Sequence, residues 1–183
     1  MSHFDDLMAD ARQTAALEQV AGRLGWDQET VMPRGAADQR AEEMAAMEQV
    51  LHARRADPRI GDWLEVIDPG ALDDAGRAQV RLIRRAYQRA TRVPARLAAE
   101  IARVTSKSQG IWAEARAAED FGAFAPTLSR VVALKREEGA ALADGGDVYD
   151  AMLQDYEPGM TGAALDEMFG ALRPRLKALR EAI

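Results

Sequence analysis

Apolar residues recur every three or four positions along nearly the whole chain, which is the spacing of one face of a helix. Phe4, Leu7, Ala11, Leu17, Val20 and Leu24 make the first such run, and Gly25 is expected to end it. A break follows over Trp26–Pro33. A second helix then runs from about Gly35 to Ala56, with Ala37, Ala41, Met44, Met47 and Leu51 inward. Asp57-Pro58 reads as an N-cap with proline in the first turn, opening a short helix that buries Ile60, Trp63, Leu64 and Ile67 and closes at Pro69-Gly70.

Asp73 or Asp74 caps a fourth helix, with Val80, Ile83, Tyr87 and Ala90 on one side. Val93-Pro94 interrupts it, because the residue before proline is pushed out of the helical region. The fifth helix carries Leu97, Ile101, Val104, Ile111 or Trp112, and Ala115; a turn is expected at Phe121-Gly122. A sixth starts near Phe124 with Leu128, Val131, Val132 and Leu142 and stops at Gly145-Gly146. A short helix with Val148, Met152 and Leu153 leads to Asp155–Thr161. Thr161 is a good N-cap for the last helix, whose stripe is Leu165, Met168, Phe169, Leu172, Leu176, Leu179 and Ile183, with a kink expected at Pro174. No stretch alternates with period two. The fold class is all-α, with about eight helices and no sequence repeat. The last stripe runs to the final residue with no C-cap glycine, so it is expected to continue into further polypeptide.

Composition agrees with helices: alanine, arginine, leucine and glutamate are abundant, and β-branched and aromatic residues are few. The 183 residues suit one domain or part of a larger one. A formal net charge of −6 argues against a nucleic-acid scaffold. The chain has no cysteine, which excludes disulfides, thiolate metal sites and cysteine nucleophiles. No apolar run reaches membrane-span length and the acidic N-terminus is no signal peptide, so a cytoplasmic, soluble protein is expected.

Candidate chemistry is sparse. His3 and His52 are the only histidines, and a His-Glu-x-x-His helix, which sets two imidazoles and a glutamate base on one face, is absent. Glu48 and His52, four apart, offer only two ligands, and surface positions are the ordinary reading of both histidines. Glu42-Glu43 and Glu137-Glu138 lack the Glu-x-x-His partners of a di-metal bundle and read as solvated faces. The arginine row Arg81, Arg84, Arg85, Arg89 and Arg92 reads as an outer face paired with local acids. In the two breaks, Asp27 and Thr30 can satisfy free backbone N–H groups, Pro33 sets the entry to the next helix, and the Trp26 indole is expected to be mostly buried. Pro158-Gly159 gives a turn, and Tyr156 or Glu157 could face a cleft. Both breaks can be structural corners or the wall of a cleft.

The string Trp26-Asp27-x-x-Thr30-x-Met32-Pro33, followed by Arg40, resembles the N-terminal signature of the carboxypeptidase Taq family of metallocarboxypeptidases. Arg89–Pro94, Trp112–Arg116, Phe124-Ala125-Pro126 and Tyr149-Asp150 through Asp155-Tyr156-Glu157-Pro158-Gly159-Met160-Thr161 resemble the same family in the same order, from about residue 4 to 183. The resemblance implies the N-terminal helical part of a larger all-α, two-lobed zincin-type enzyme with a deep cleft. Such an enzyme removes C-terminal residues from peptides, binds zinc or another divalent metal, and works as a homodimer. The family's metal ligands lie on a His-Glu-x-x-His helix and a later glutamate that match nothing here. No catalytic or metal residue is therefore carried over, and the chain over 1–183 is expected to be inactive alone. The two break motifs are cleft-lining or structural. A stand-alone helical interaction module, or a bundle holding a small ligand, are the alternatives. Open apolar helix faces also predict self-association.

Overall fold

The computed structural model describes residues 2–182, which form eight α-helices and two short 3-10 turns. The helices are α1 (His3–Thr30), α2 (Ala37–Arg55), α3 (Pro58–Val66), α4 (Asp74–Arg92), α5 (Ala95–Ala117), α6 (Phe121–Ala143), α7 (Val148–Leu153) and α8 (Gly162–Glu181). No strand occurs among the described residues. Ile183, the end of the expected last stripe, lies outside them.

Caps fix most of the starts. Ser2 and Asp5 form a reciprocal capping box at α1, and Asp57, Asp73, Asp147 and Thr161 each accept a backbone N–H in the first turn of α3, α4, α7 and α8. Two expected boundaries move. Helix α1 passes through Gly25 and ends only at Thr30, so most of the expected break is helix. Helix α6 starts at Phe121; the turn is Glu119, at a φ of 53°, with Asp120 Oδ1 accepting from the Ala123 N–H at 3.1 Å. Gly25, read as a stop, and Gly122, read as part of a turn, both sit inside helices, where glycine costs only about 1 kcal/mol relative to alanine. Pro174 likewise lies within a continuous α8.

The chain divides into two compact units, Met1–Lys135 and Arg136–Ile183. The first is built on a core of Leu7 from α1, Ile60, Leu64 and Ile67 from α3 and its end, and Val80 from α4, with Phe4, Trp63 and Tyr87 against it. Alongside, α2 packs on α5 and α1. Both pairings are antiparallel. Asp38 meets Lys107 at 2.6 Å, Glu42 meets Arg103 at 2.7 Å, and His52 Nε2 donates to the Val93 carbonyl at 2.6 Å. On the other side Arg54 reaches Asp10 at 2.8 Å, Arg55 reaches Glu18 at 2.9 Å, and Arg40 reaches Asp27. Buried Ala41 and Ala45 leave room for this close approach.

In the second unit α7 packs against α8. Buried Gly139 on α6 makes the adjoining contact possible: a Cβ there would stand 2.7 Å from Val148 Cγ1 and 3.1 Å from Met152 Cγ. Several positions expected inside are open. Ile111, Trp112, Leu128, Val132 and Val148 are exposed, and α8 has no buried residue.

Candidate functional site

The first motif occupies the last turns of α1 and the corner into α2. Thr30 Oγ1 donates to the Trp26 carbonyl at 2.7 Å, and the Val31 and Met32 N–H groups both close on the Asp27 carbonyl, at 3.0 and 2.9 Å. Pro33 then holds an extended backbone ahead of the 3-10 turn Arg34–Ala36. Neither side chain takes up a free backbone N–H as expected: the Thr30 hydroxyl donates back to the Trp26 carbonyl, and the Asp27 carboxylate is engaged by Arg40.

Arg40 is the centre of this corner. It is 9% exposed, and its guanidinium donates to the Leu24 carbonyl, the Asp27 carboxylate and Glu43 Oε2, the last at 2.9 Å. The Asp27 bond first, then that to Glu43, raises the Arg40 pKa above its ordinary value, so the group is fixed as a cation. Its fork serves helix ends and leaves no face for a ligand.

Gln28, a residue to which sequence reasoning gave no role, ties the corner to α5. Its Nε2 donates to the Ser106 carbonyl and to Gln109 Oε1, both at 2.8 Å, while Ser106 Oγ donates to Gln28 Oε1 at 2.8 Å. The available signal was a polar amide near a helix end, which composition cannot distinguish from a solvated one. Trp26 contradicts expectation: it is 63% exposed, because the continued helix turns it away from the α2 and α5 sides that Asp27 and Gln28 occupy. Beside the corner a groove of about 840 Å³ opens between the end of α1, the start of α2 and the second half of α5. Met32, Ser106, Gln109 and Ile111 are among its lining, and the Arg34–Glu114 pair at 3.6 Å and the Lys107–Asp38 pair at 2.6 Å join its sides.

The second motif lies in the other unit and folds around a residue also missed, Gln154. Its Nε2 donates to the Asp150 and Met160 carbonyls at 3.0 and 2.9 Å, and its Oε1 accepts the Gly159 N–H at 2.8 Å. Gly159 has a φ of +88°, which suits glycine, and Pro158 precedes it. Asp150 Oδ1 accepts from the Gly162 N–H at 2.6 Å, and Thr161 Oγ1 from Ala164 at 3.2 Å. Asp155, Tyr156, Glu157 and Pro158 are exposed, Tyr156 to 80%. This is a loop braced from inside, with its aromatic presented outward.

Other candidates resolve as structure. His52 is no surface ornament; it fastens α2 to the carbonyl that ends α4, whereas His3 is exposed. Glu138 is buried rather than solvated. Arg84 donates to the Leu64 carbonyl at 2.6 Å, near the end of α3, so the arginine row is not simply an outer face. Among the described residues no three of His, Asp or Glu come together to hold a metal ion. The residues present do not fit the metal centre that the resemblance implies, and no catalytic step is assigned to them.

The chain is 39% identical to thermostable carboxypeptidase 1 of Thermus thermophilus over 98% of its length, and 28% identical to thermostable carboxypeptidase 1 of Pyrococcus furiosus over 97%. It spans only 38% and 36% of those two proteins. Among solved structures, metallocarboxypeptidase 1 of Trypanosoma cruzi aligns at a TM-score of 0.73 with 31% identity, over 94% of this chain and 35% of that one. The M32 carboxypeptidase of Deinococcus radiodurans aligns at 0.74 with 29% identity, over 99% and 37%. All these helices correspond to the N-terminal part of such enzymes. The family model for carboxypeptidase Taq (M32) metallopeptidases matches residues 6–183, and the chain belongs to that family.

Proposed function

We propose that the chain is the N-terminal helical part of a metal-dependent carboxypeptidase, and that the whole enzyme removes C-terminal residues from peptides in the cytoplasm as a homodimer. One observation carries this: family likeness extends over almost all of the chain, while the chain spans little more than a third of its curated relatives. The divalent ion, zinc by family expectation, would be held by residues outside positions 1–183, because those described here offer no ligand set. The chain alone is inactive. Its contribution is scaffold and wall: the groove beside Trp26–Pro33 is a surface of a peptide cleft.

The test compares the 183-residue chain with a longer polypeptide from the same gene on a peptide with a free C-terminus. Release of single residues by the longer form only, abolished by chelator and restored by metal, is the expected result. Chelator-insensitive release, or release by the short form, would overturn the assignment.

A further inference from the structure

We infer that Asp144-Gly145 is a modification site, at which the peptide link rearranges through a cyclic imide to an isoaspartyl link and loosens the turn between α6 and α7. The reaction is attack of a backbone nitrogen on the carboxyl of the preceding aspartate. It needs a following residue with no side chain in the way and a backbone free to bring the two groups together. Asp144 is the only aspartate of the chain that glycine follows. Asp57 and Asp68 precede prolines, which have no N–H to lose. Asp10, Asp27, Asp38, Asp62 and Asp166 lie inside helices, where the hydrogen-bond ladder fixes the backbone. Asp120, Asp147 and Asp155 precede the bulky Phe121, Val148 and Tyr156.

The structure sets this pair where the reaction can run. Helix α6 ends at Ala143 and α7 begins at Val148. Between them Asp144 has a φ of 49° and Gly145 a φ of +86°, and both residues are exposed. The turn is closed by the Gly146 N–H, which donates to the Ala143 carbonyl at 2.8 Å. The Gly145 N–H makes no hydrogen bond among the described residues, so the attacking nitrogen has none to break. Space around it is open, since no heavy atom lies within 4 Å of a Cβ built at Gly145. A left-handed aspartate is uncommon and costs local energy, which a rearranged link relieves.

The chemistry needs no reagent but water. The Gly145 nitrogen bonds to the Asp144 carboxyl carbon, and one carboxyl oxygen leaves as water, taking the nitrogen's proton and the carboxyl's. Water then opens the imide ring at the carbonyl that came from the main chain, and the original peptide C–N bond breaks. The product has the mass of the starting chain. Its main chain now runs through the former side chain, one methylene longer, and the old main-chain carbonyl has become a free carboxylate. The extra length falls just ahead of Asp147, whose carboxylate starts α7 by accepting the Asp150 N–H at 2.8 Å. A helix of six residues has little stability of its own, so a longer tether releases Val148 and Met152 from their place against Gly139.

The test is to age the 183-residue protein at neutral pH and physiological temperature. The new carboxylate is then labelled by methyl transfer from S-adenosylmethionine, with an isoaspartyl carboxyl methyltransferase as the probe, and located by fragment mass spectrometry. Label should accumulate at Asp144 and hardly elsewhere. Asp144→Glu keeps the charge but closes a larger ring far more slowly, and should lose the label. Asp144→Asn should gain it faster, releasing ammonia in place of water; circular dichroism verifies that both variants stay helical. Label spread over other aspartates, or label that survives Asp144→Glu, would overturn the proposal. So would its absence from the folded chain under conditions in which the urea-unfolded chain acquires it. Limited proteolysis should cut the labelled form between α6 and α7 several-fold faster than the fresh protein, and equal cutting would overturn the loosening. Peptidase activity plays no part in these readouts, so they stand or fall independently of the proposed enzyme.

Discussion

Arg40 shows how much one residue can decide. Its three acceptors come from the end of α1 and from α2 itself, so one guanidinium fixes the angle at which the chain turns back. Removing it strands the partly shielded Asp27 carboxylate and leaves a void in the corner. Loss of one member of a fully buried pair costs about 3–5 kcal/mol; with Asp27 about one-third exposed, Arg40→Ala should cost about 2 kcal/mol. Arg40→Lys should recover little, since an ammonium cannot reach three fixed acceptors in a plane. Urea midpoints compare the two directly. Trp26 is the counterpart: 63% exposed, it should be removable to alanine within about 0.5 kcal/mol, measured the same way. A family string thus mixes a residue that holds the fold with one that does not, and the letters alone do not separate them.

At the scale of elements the period of apolar residues gave every helix, and caps such as Asp57, Asp73 and Thr161 stood where their side chains said they would. What periodicity could not give was the strength of contacts beyond a weak point. Gly25 is a good helix end by itself, but the Gln28 bonds to α5 and the Asp27 bond to Arg40 lie one turn further on and hold the helix through it. The residue is therefore tolerated, not required. No atom lies within 4 Å of a Cβ built at Gly25, so Gly25→Ala should stabilise the protein by roughly 0.5–1 kcal/mol, seen as a higher urea midpoint. Gly139 is the opposite case. Its added methyl meets the β-branched Val148 at 2.7 Å, and Val148 has few rotamers with which to withdraw. Gly139→Ala should cost about 1–3 kcal/mol, and the companion substitution Val148→Ala should return part of it, a coupling that a double-mutant cycle reads. The stripes on α5, α6 and α8 were legible as stripes, yet nothing local distinguishes an apolar residue covered by this chain from one left for another.

For the molecule as a whole, charge is spent on joining helices, and that sets its response to acid. Arg103 on α5 binds Glu42 of α2 and Glu100, and Glu100 also takes Arg130 of α6 at 3.0 Å, so three helices share one chain of four charges. Arg103 holds the Glu42 carboxyl below its ordinary 4.5, and Arg130, with help from Arg103, does the same for Glu100. Asp57 is lowered from 3.8 by the Arg59 side chain and N–H that it binds. A carboxyl whose folded value is depressed takes up protons more readily when unfolded, so it favours the folded state at pH values above its unfolded value. That contribution is complete near neutrality, shrinks as pH falls below about 4.5, and is gone once the depressed folded value has been crossed. Protonation also carries the chain from its net charge of −6 at pH 7 through its isoelectric point near 5.1 to a net positive charge, adding repulsion among arginines that have lost their partners. Thermal midpoints measured from pH 7 to pH 3 should therefore fall most steeply below 4.5. If the three-helix network is the cause, Glu42→Gln with Glu100→Gln should lower the midpoint at neutral pH and flatten the acid limb. An unchanged slope in that double variant would place the acid sensitivity elsewhere in the chain.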